Sequence, residues 1–346
     1  MNHKNAERHP HGRIIKSSFT PPGWAKNRHL QTIWPRFIQA RKKNRYTSER
    51  LNTPDGDFVD LAWSAAPAEL KGTVVIFHGL EGSIRSHYAN DLMAFLYRQG
   101  WQVVLMHFRG CSGVPNKTTR SYHSGDTNDA MFVLDYLRSK CTSHFMVGIG
   151  FSLGGNMMLK LLGENPSQRW LNAACVISAP LKLAECSDSI NRGFSRVYQG
   201  YLLTSMRRTL LAKMTSIDYS RDLQLTVAQV KAIRTFRQFD DRVTAPLHGF
   251  TDAVDYYEKC SSFYYLRAVK TPTLILHAKD DPFMNAKVIP EERDLSSSIT
   301  IELSDQGGHV GFMQGLPWKP VIWFHQRVAD FLQAQQTTFN LQPQNT

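Results

Sequence analysis

No apolar run in the sequence reaches membrane-spanning length. The strongest stretches, around Val74 and Val103, last a few residues, where a bilayer-crossing helix needs about 20. An apolar leader of the secretory kind is lacking too, because residues 1–10 carry His, Lys, Glu and Arg, so export is not expected. Cysteine is scarce. Cys111, Cys141, Cys175, Cys186 and Cys260 form no C-x-x-C pair and have no His at metal-ligand spacing, which argues against a disulfide framework or structural zinc and for a reducing, cytoplasmic setting. The phosphate-cradling patterns G-x-x-x-x-G-K-[ST] and G-x-G-x-x-G are missing, as are zinc-finger and RNA-binding signatures. Neither a nucleotide, a metal nor a nucleic-acid partner is expected.

What is present is a large foldable chain. Its 346 residues are 42% hydrophobic and 20% charged, enough to bury an extensive core, as two domains or as one α/β domain with an insertion. The net charge of +12 is unevenly placed: residues 1–50 carry 12 Lys/Arg against Glu7 and Glu49, and residues 190–237 carry 9 against Asp218 and Asp222. The remainder is mildly acidic. Residues 1–45 therefore read as a basic arm, which with Trp24 and Trp34 is expected to allow weak peripheral contact with an anionic membrane.

From residue 46 the pattern becomes regular. Residues 46–51 and 58–63 read as a hairpin turned at Pro54-Asp55-Gly56, where Pro presets φ and Gly supplies a positive one. Apolar strand-length runs at 74–77, 102–106, 145–149 and 173–178 then alternate with helical patterns at 87–98, 126–139 and 153–162. Runs without polar alternation are strands buried on both faces, and helices between them imply parallel crossovers. The fold class is α/β, a mostly parallel doubly wound sheet. The strand rhythm stops after Pro180 and resumes at 273–277 and 299–303. A gap this long is no structureless loop; with helical patterns at 202–214 and 227–239, residues 181–270 are assigned to a helical cap inserted into a core of 46–180 and 271–335. Val321, Phe324, Val328 and Phe331 form one stripe of a final helix, and residues 336–346 are expected to fray.

Gly150-Phe-Ser152-Leu-Gly154 places G-x-S-x-G between a strand and a helix. A serine at a strained strand-to-helix turn needs small neighbours two residues away on either side, because larger side chains would collide there. A serine hydroxyl also needs a base, and the base an orienting acid. Both occur downstream: Asp280-Asp281-Pro282 follows the strand at 273–277, and Gly307-Gly308-His309 follows the strand at 299–303. The chain order Ser, Asp, His is that of an α/β hydrolase. Ser152, Asp281 and His309 are the candidate catalytic residues, with Asp280 as the alternative acid; His107, His123, His248 and His277 are assigned packing or hydrogen-bonding roles. The oxyanion of acyl transfer needs two preorganised N–H donors, for which Leu153 and, in the turn His78-Gly79-Leu80, Leu80 are the candidates. Arg109 is expected to pair with a carboxylate.

Eight segments taken together resemble a known family: Asn27-Arg-His-Leu-Gln-Thr-Ile-Trp-Pro35, Pro54-Asp-Gly-Asp-Phe-Val-Asp-Leu-Ala-Trp63, His78-Gly-Leu-Glu-Gly82, Met106-His-Phe-Arg-Gly-Cys-Ser-Gly113, the Ser152 turn, Phe239-Asp-Asp241, Asp280-Asp-Pro-Phe283 and Gly307-Gly-His-Val-Gly-Phe312. The family is the AB-hydrolase superfamily, in the type 4 branch that includes YheT-like bacterial hydrolases. The resemblance implies an α/β-hydrolase fold, carboxylic ester hydrolysis on small-molecule esters, no cofactor, and a triad of Ser152, Asp281 and His309; eukaryotic relatives act on medium-chain acyl esters and phospholipids. His107 departs from the wider superfamily, where many members carry Asp before the Arg-Gly pair. Two other readings stand beside ester hydrolysis: acyl transfer to an alcohol by the same three residues, and a non-catalytic acyl-binding scaffold.

Overall fold

A computed structural model describes residues 10–38 and 45–341. Nine strands form one sheet: β1 (Arg13–Lys16), β2 (Tyr46–Asn52), β3 (Phe58–Ser64), β4 (Gly72–Phe77), β5 (Trp101–Met106), β6 (Met146–Phe151), β7 (Ala173–Ile177), β8 (Thr273–Ala278) and β9 (Ile299–Ser304), in the order β1-β9-β8-β7-β6-β4-β5-β3-β2. From β1 to β5 all neighbours are parallel; β3 pairs antiparallel with β5, and β2 with β3. The central strands are buried along their whole length, which explains their unbroken Val, Ile and Phe runs: both faces are covered by helices.

One face packs on α3 (Asn128–Lys140) and α4 (Leu153–Glu164), through residues such as Val133, Leu137, Met157 and Leu161. The other is covered by α2 (His87–Arg98) and the long C-terminal α11 (Trp323–Leu341), with Leu92, Leu96, Phe324 and Val328 inside. Helix α1 (Arg28–Ile38) lies beside a small antiparallel hairpin, β10 (Met313–Leu316) and β11 (Lys319–Ile322). Between β7 and β8 the chain forms α5 (Leu183–Ile190), α6 (Ser195–Lys213), α7 (Val227–Ala232), α8 (Phe236–Phe239), α9 (Ala245–His248) and α10 (Ala253–Cys260). This helical layer has its own apolar cluster around Leu203, Leu210, Val230, Phe239 and Val243.

Four expectations need correction. Residues 13–16, read as part of the arm, are a strand, because the edge of β9 offers unpaired backbone groups and Ile14 packs on the core. Residues 262–268, read as cap, form a 3₁₀ segment against α4, held there by buried Leu266. Val321 is not in the final helix; it lies in β11 and is exposed. Within the expected frayed tail, residues 336–341 are helical and Phe339 packs against Phe145 at 5.2 Å, while 342–346 lie outside the described residues.

A buried ionic network braces the carboxyl end of the sheet beside β5. The Arg109 guanidinium donates to both carboxylate oxygens of Asp129 at 2.7 and 2.8 Å, to Asp55 at 2.7 Å and to Asp57 at 3.1 Å. Burial alone would lower the basicity of Arg109, but Asp129 and Asp55 raise it. Burial would likewise raise the pKa of Asp57; donors from Asn116, Lys117, Thr118 and Phe58 instead hold it well below the ordinary range. The network ties the 54–57 turn to the loop after β5 and to α3, which accounts for two of the sequence motifs. Arg109→Ala removes the one ion-pair partner of buried Asp57 among the described residues and the nearest cation of Asp129, and is expected to cost about 3–5 kcal/mol, read as a lower urea midpoint at unchanged slope.

Candidate active site

Ser152 is the single residue between β6 and α4, at φ 48° and ψ −118°. Such a conformation strains a residue with a side chain. It persists because backbones close in around it. A Cβ on Gly150 would lie 2.6 Å from the Gly155 Cα, and one on Gly154 would lie 2.5 Å from the carbonyl oxygens of Phe77 and His78. The elbow is thus wedged against the end of β4, and the two glycines flanking the serine are required by close contact with neighbouring backbone.

The carboxyl ends of β8 and β9 supply the rest. His309 Nε2 lies 3.0 Å from the Ser152 Oγ, and His309 Nδ1 lies 2.7 Å from the Asp281 Oδ2. A carboxylate only accepts, so Nδ1 donates to Asp281 and the lone pair of Nε2 faces the serine hydroxyl. Asp281 is 1% exposed, and its second oxygen accepts from the Phe283 amide at 2.8 Å. The rival acid acts on backbone instead, since Asp280 Oδ1 accepts the Gly308 amide at 2.9 Å and holds the loop that carries the imidazole. Burial raises the Asp280 pKa, partly offset by that amide.

Three further residues fix the histidine. Thr32 of α1 accepts the His309 amide at 3.0 Å, and Ser178 accepts the Val310 amide at 3.1 Å. The Phe283 ring stacks on the imidazole, with centroids 4.0 Å apart and planes at 9°. Thr32 and Phe283 lie inside segments that carried the family resemblance; Ser178 had no sequence signal.

The turn carrying Leu80 abuts the serine, because a Cβ on Gly79 would meet that of Ser152 at 3.3 Å. Leu80 and Leu153 both line the cavity beside Ser152 and His309. His78 pins the turn: its Nε2 accepts the Phe108 amide at 3.1 Å, so its Nδ1 donates to the Gly79 carbonyl at 2.7 Å. Burial lowers the His78 pKa to about 3, which keeps the ring neutral and this donor pattern intact. Tyr88, which sequence reading did not single out, accepts the Gly79 amide at 2.9 Å. His107 has a bridging role of the same kind, accepting the Ile84 amide through Nε2 and donating to the Asp60 carbonyl through Nδ1. Of the other histidines given packing roles, His123 and His248 lie face to tilted face at 4.4 Å beside the cavity, and His277 is buried in β8.

From Ser152 an open cavity runs under the helical layer. Leu183, Ile190, Leu202, Met206 and Leu210 are among its apolar walls. Glu81 crosses it, accepting from Tyr122, Ser205 and Thr209 at 2.8 to 3.1 Å, and so joins the turn after β4 to α6. Asp240 is partly buried at the cavity wall, accepting from Tyr257 at 2.7 Å and Thr244 at 2.8 Å. Among the described residues, no group of three or more His, Cys, Asp or Glu could hold a metal ion.

A mostly parallel sheet that presents a serine on a strained strand-to-helix turn, with an acid and a histidine from later strand ends, defines the α/β hydrolase class. Residues 72–316 match the family described as alpha/beta hydrolase fold, and the chain belongs to that family, on its YheT-like branch. It is 44% identical over 318 residues to YheT of Escherichia coli (strain K12), covering 91% of this chain and 93% of that protein. It is 28% identical over 333 residues to phospholipase ABHD3 of Mus musculus, covering 94% and 80% of the two chains. The Pyrococcus furiosus esterase Pf2001 shares the fold, with a TM-score of 0.56 at 15% identity over 93% of this chain and 100% of that one.

Asp240 carries a pH signature. Burial, with the nearby Asp241 charge, raises its pKa to about 6. Between about pH 4 and 6 the folded chain therefore holds a proton that the unfolded chain has released, so this group's penalty is full above 6 and fades toward 4. Relative to wild type, Asp240→Asn is expected to gain on the order of 2 kcal/mol between about pH 4 and 7, read from paired urea titrations.

Proposed function

We propose that the protein is a serine hydrolase that cleaves carboxylic esters of short- to medium-chain acids through an acyl-Ser152 intermediate. The observation that carries this reading is the continuous hydrogen-bonded line from the Ser152 Oγ through His309 to Asp281, at 3.0 and 2.7 Å. A neutral imidazole aimed at a hydroxyl with its lone pair, and anchored by a carboxylate on the far nitrogen, is what proton removal from serine requires.

In the first half-reaction Ser152 Oγ attacks the ester carbonyl as its proton passes to His309 Nε2. Asp281 stabilises the imidazolium and holds its orientation. The oxyanion that develops is met by the amides of Leu80 and Leu153, at the N-terminal end of α4, where the helix dipole also favours negative charge. His309 then returns the proton to the departing alcohol. Water enters and gives a proton to the same nitrogen as its oxygen bonds to the acyl carbon; the bond from that carbon to Ser152 Oγ then breaks, Oγ takes the proton back from His309, and the carboxylic acid leaves. Glycine at 79 lets the Leu80 turn approach the serine, and the neutral His78 keeps that turn from opening.

The apolar cavity supports an acyl chain rather than a polar acyl group, since burying each methylene contributes about 0.8 kcal/mol. Similarity to a protein named phospholipase points the same way, toward an acyl ester with an alkyl tail.

Two measurements test the reading. A fluorophosphonate probe should label the wild type and not Ser152→Ala, while Ser152→Ala and His309→Ala should each lower kcat by about 10⁶-fold and Asp281→Asn by about 10⁴-fold. In a series of p-nitrophenyl esters, kcat/KM should rise up to about fourfold per added methylene until the cavity is filled. Equal labelling of wild type and Ser152→Ala would overturn the assignment of the nucleophile; a flat series would overturn that of the acyl cavity.

A further inference from the structure

We infer that the face formed by α1, the β10–β11 hairpin and the outer side of α6 is a docking surface for an anionic lipid bilayer. Three observations meet there.

The first is exposed apolar surface. Phe37 of α1 is 73% exposed and Trp318, in the turn of the hairpin, is 76% exposed; Leu316, Phe194, Val197 and Tyr201 are each more than half exposed. Single exposed apolar residues are ordinary, but contiguous ones mark contact surfaces. These are contiguous, because the elements that bear them touch. The Trp34 indole donates to the Pro317 carbonyl at 3.4 Å, the Arg36 guanidinium donates to the Tyr201 hydroxyl at 2.6 Å, and the His29 ring lies 4.6 Å from that of Phe194.

Charge is the second. Neither α1, the 313–322 hairpin nor α6 contains a single Asp or Glu. Arg28, Arg36, Arg196 and Lys319 are exposed on them, and among the described residues none of the four forms an ion pair with a carboxylate. Apolar side chains flanked by unpaired cations suit the interface of an anionic membrane, where aromatic rings enter the headgroup region and Lys/Arg stay at its surface. A second copy of the chain fits poorly, since a two-fold contact would bring the same unpaired cations face to face.

Position is the third. Phe194, just before α6, and Val197 and Tyr201 on it are turned outward, while Leu202 and Met206 of α6 line the catalytic cavity. Helix α1 carries Thr32, which holds the His309 loop, and Tyr198 of α6 packs on Phe283, which stacks on His309. The surface therefore borders the site, where a substrate leaving a bilayer would enter.

The test is sedimentation of the full chain with vesicles of phosphatidylcholine alone or with about 30% phosphatidylglycerol. Binding is expected to the anionic vesicles only and to weaken with salt. A triple Arg36→Gln, Arg196→Gln, Lys319→Gln variant should lose about fivefold or more in partitioning per charge removed, and Phe37→Ser with Trp318→Ser should abolish binding. Both variants should keep the wild-type circular dichroism and thermal midpoint, so the outcome does not depend on whether the chain hydrolyses esters. Equal binding to neutral vesicles, binding indifferent to the apolar variant, or no vesicle binding together with a dimer that Trp318→Ser dissociates would each overturn the proposal, the last in favour of self-association.

Discussion

The structure depends on one strained residue. Ser152 stands at positive φ between a buried strand and a buried helix, a conformation of local cost that only a rigid surround can hold. That surround is the parallel sheet. Because β4, β6 and β7 are parallel and buried, their carboxyl ends lie side by side, and the turns that leave them crowd together. Gly79, Gly150, Gly154 and Gly155 are where this crowding is resolved, each sitting where a side chain would press on neighbouring atoms. Strain at the serine and absence of side chains around it are two aspects of one packing problem. Its solution leaves the hydroxyl facing an imidazole 157 positions away in the chain.

The two adjacent acids show how finely such an end is divided. Asp281 meets the His309 ring and Asp280 meets the backbone of the loop that bears it. The histidine is held from four sides: by a carboxylate, by a threonine of α1, by a serine hydroxyl next to its own loop and by a stacked phenyl ring. Residues read as part of a basic arm therefore belong to the support of the site. A helix whose sequence is basic and aromatic can serve both as a brace inward and as a charged apolar face outward, because its sides look in different directions.

Much of the fold was legible from the chain. Strands buried on both faces announce themselves as unbroken apolar runs, and the hairpin at Pro54-Asp55-Gly56 follows from the backbone preferences of Pro and Gly. That a serine, an acid and a histidine would meet at the strand ends was legible for a similar reason: a strained strand-to-helix turn needs small residues at fixed spacing, and open sheets place their sites where strands end. Elements whose existence depends on a distant partner were not legible. β1 is a four-residue strand because β9 has a free edge; the 3₁₀ segment at 262–268 belongs with α4 because Leu266 fills a gap there; α11 continues past residue 336 because Phe339 finds Phe145.

Local pattern by itself determined which residues could be strained, buried or nucleophilic, since backbone sterics and hydrophobic periodicity act over a few residues. It set the α/β class and named both acids after β8. Tertiary structure decided which of them meets the imidazole, which hydroxyls hold the histidine loop, and which exposed side chains share one face. Those outcomes turn on distances of a few ångströms between segments far apart in the chain, and they are fixed only when the sheet brings its strand ends together.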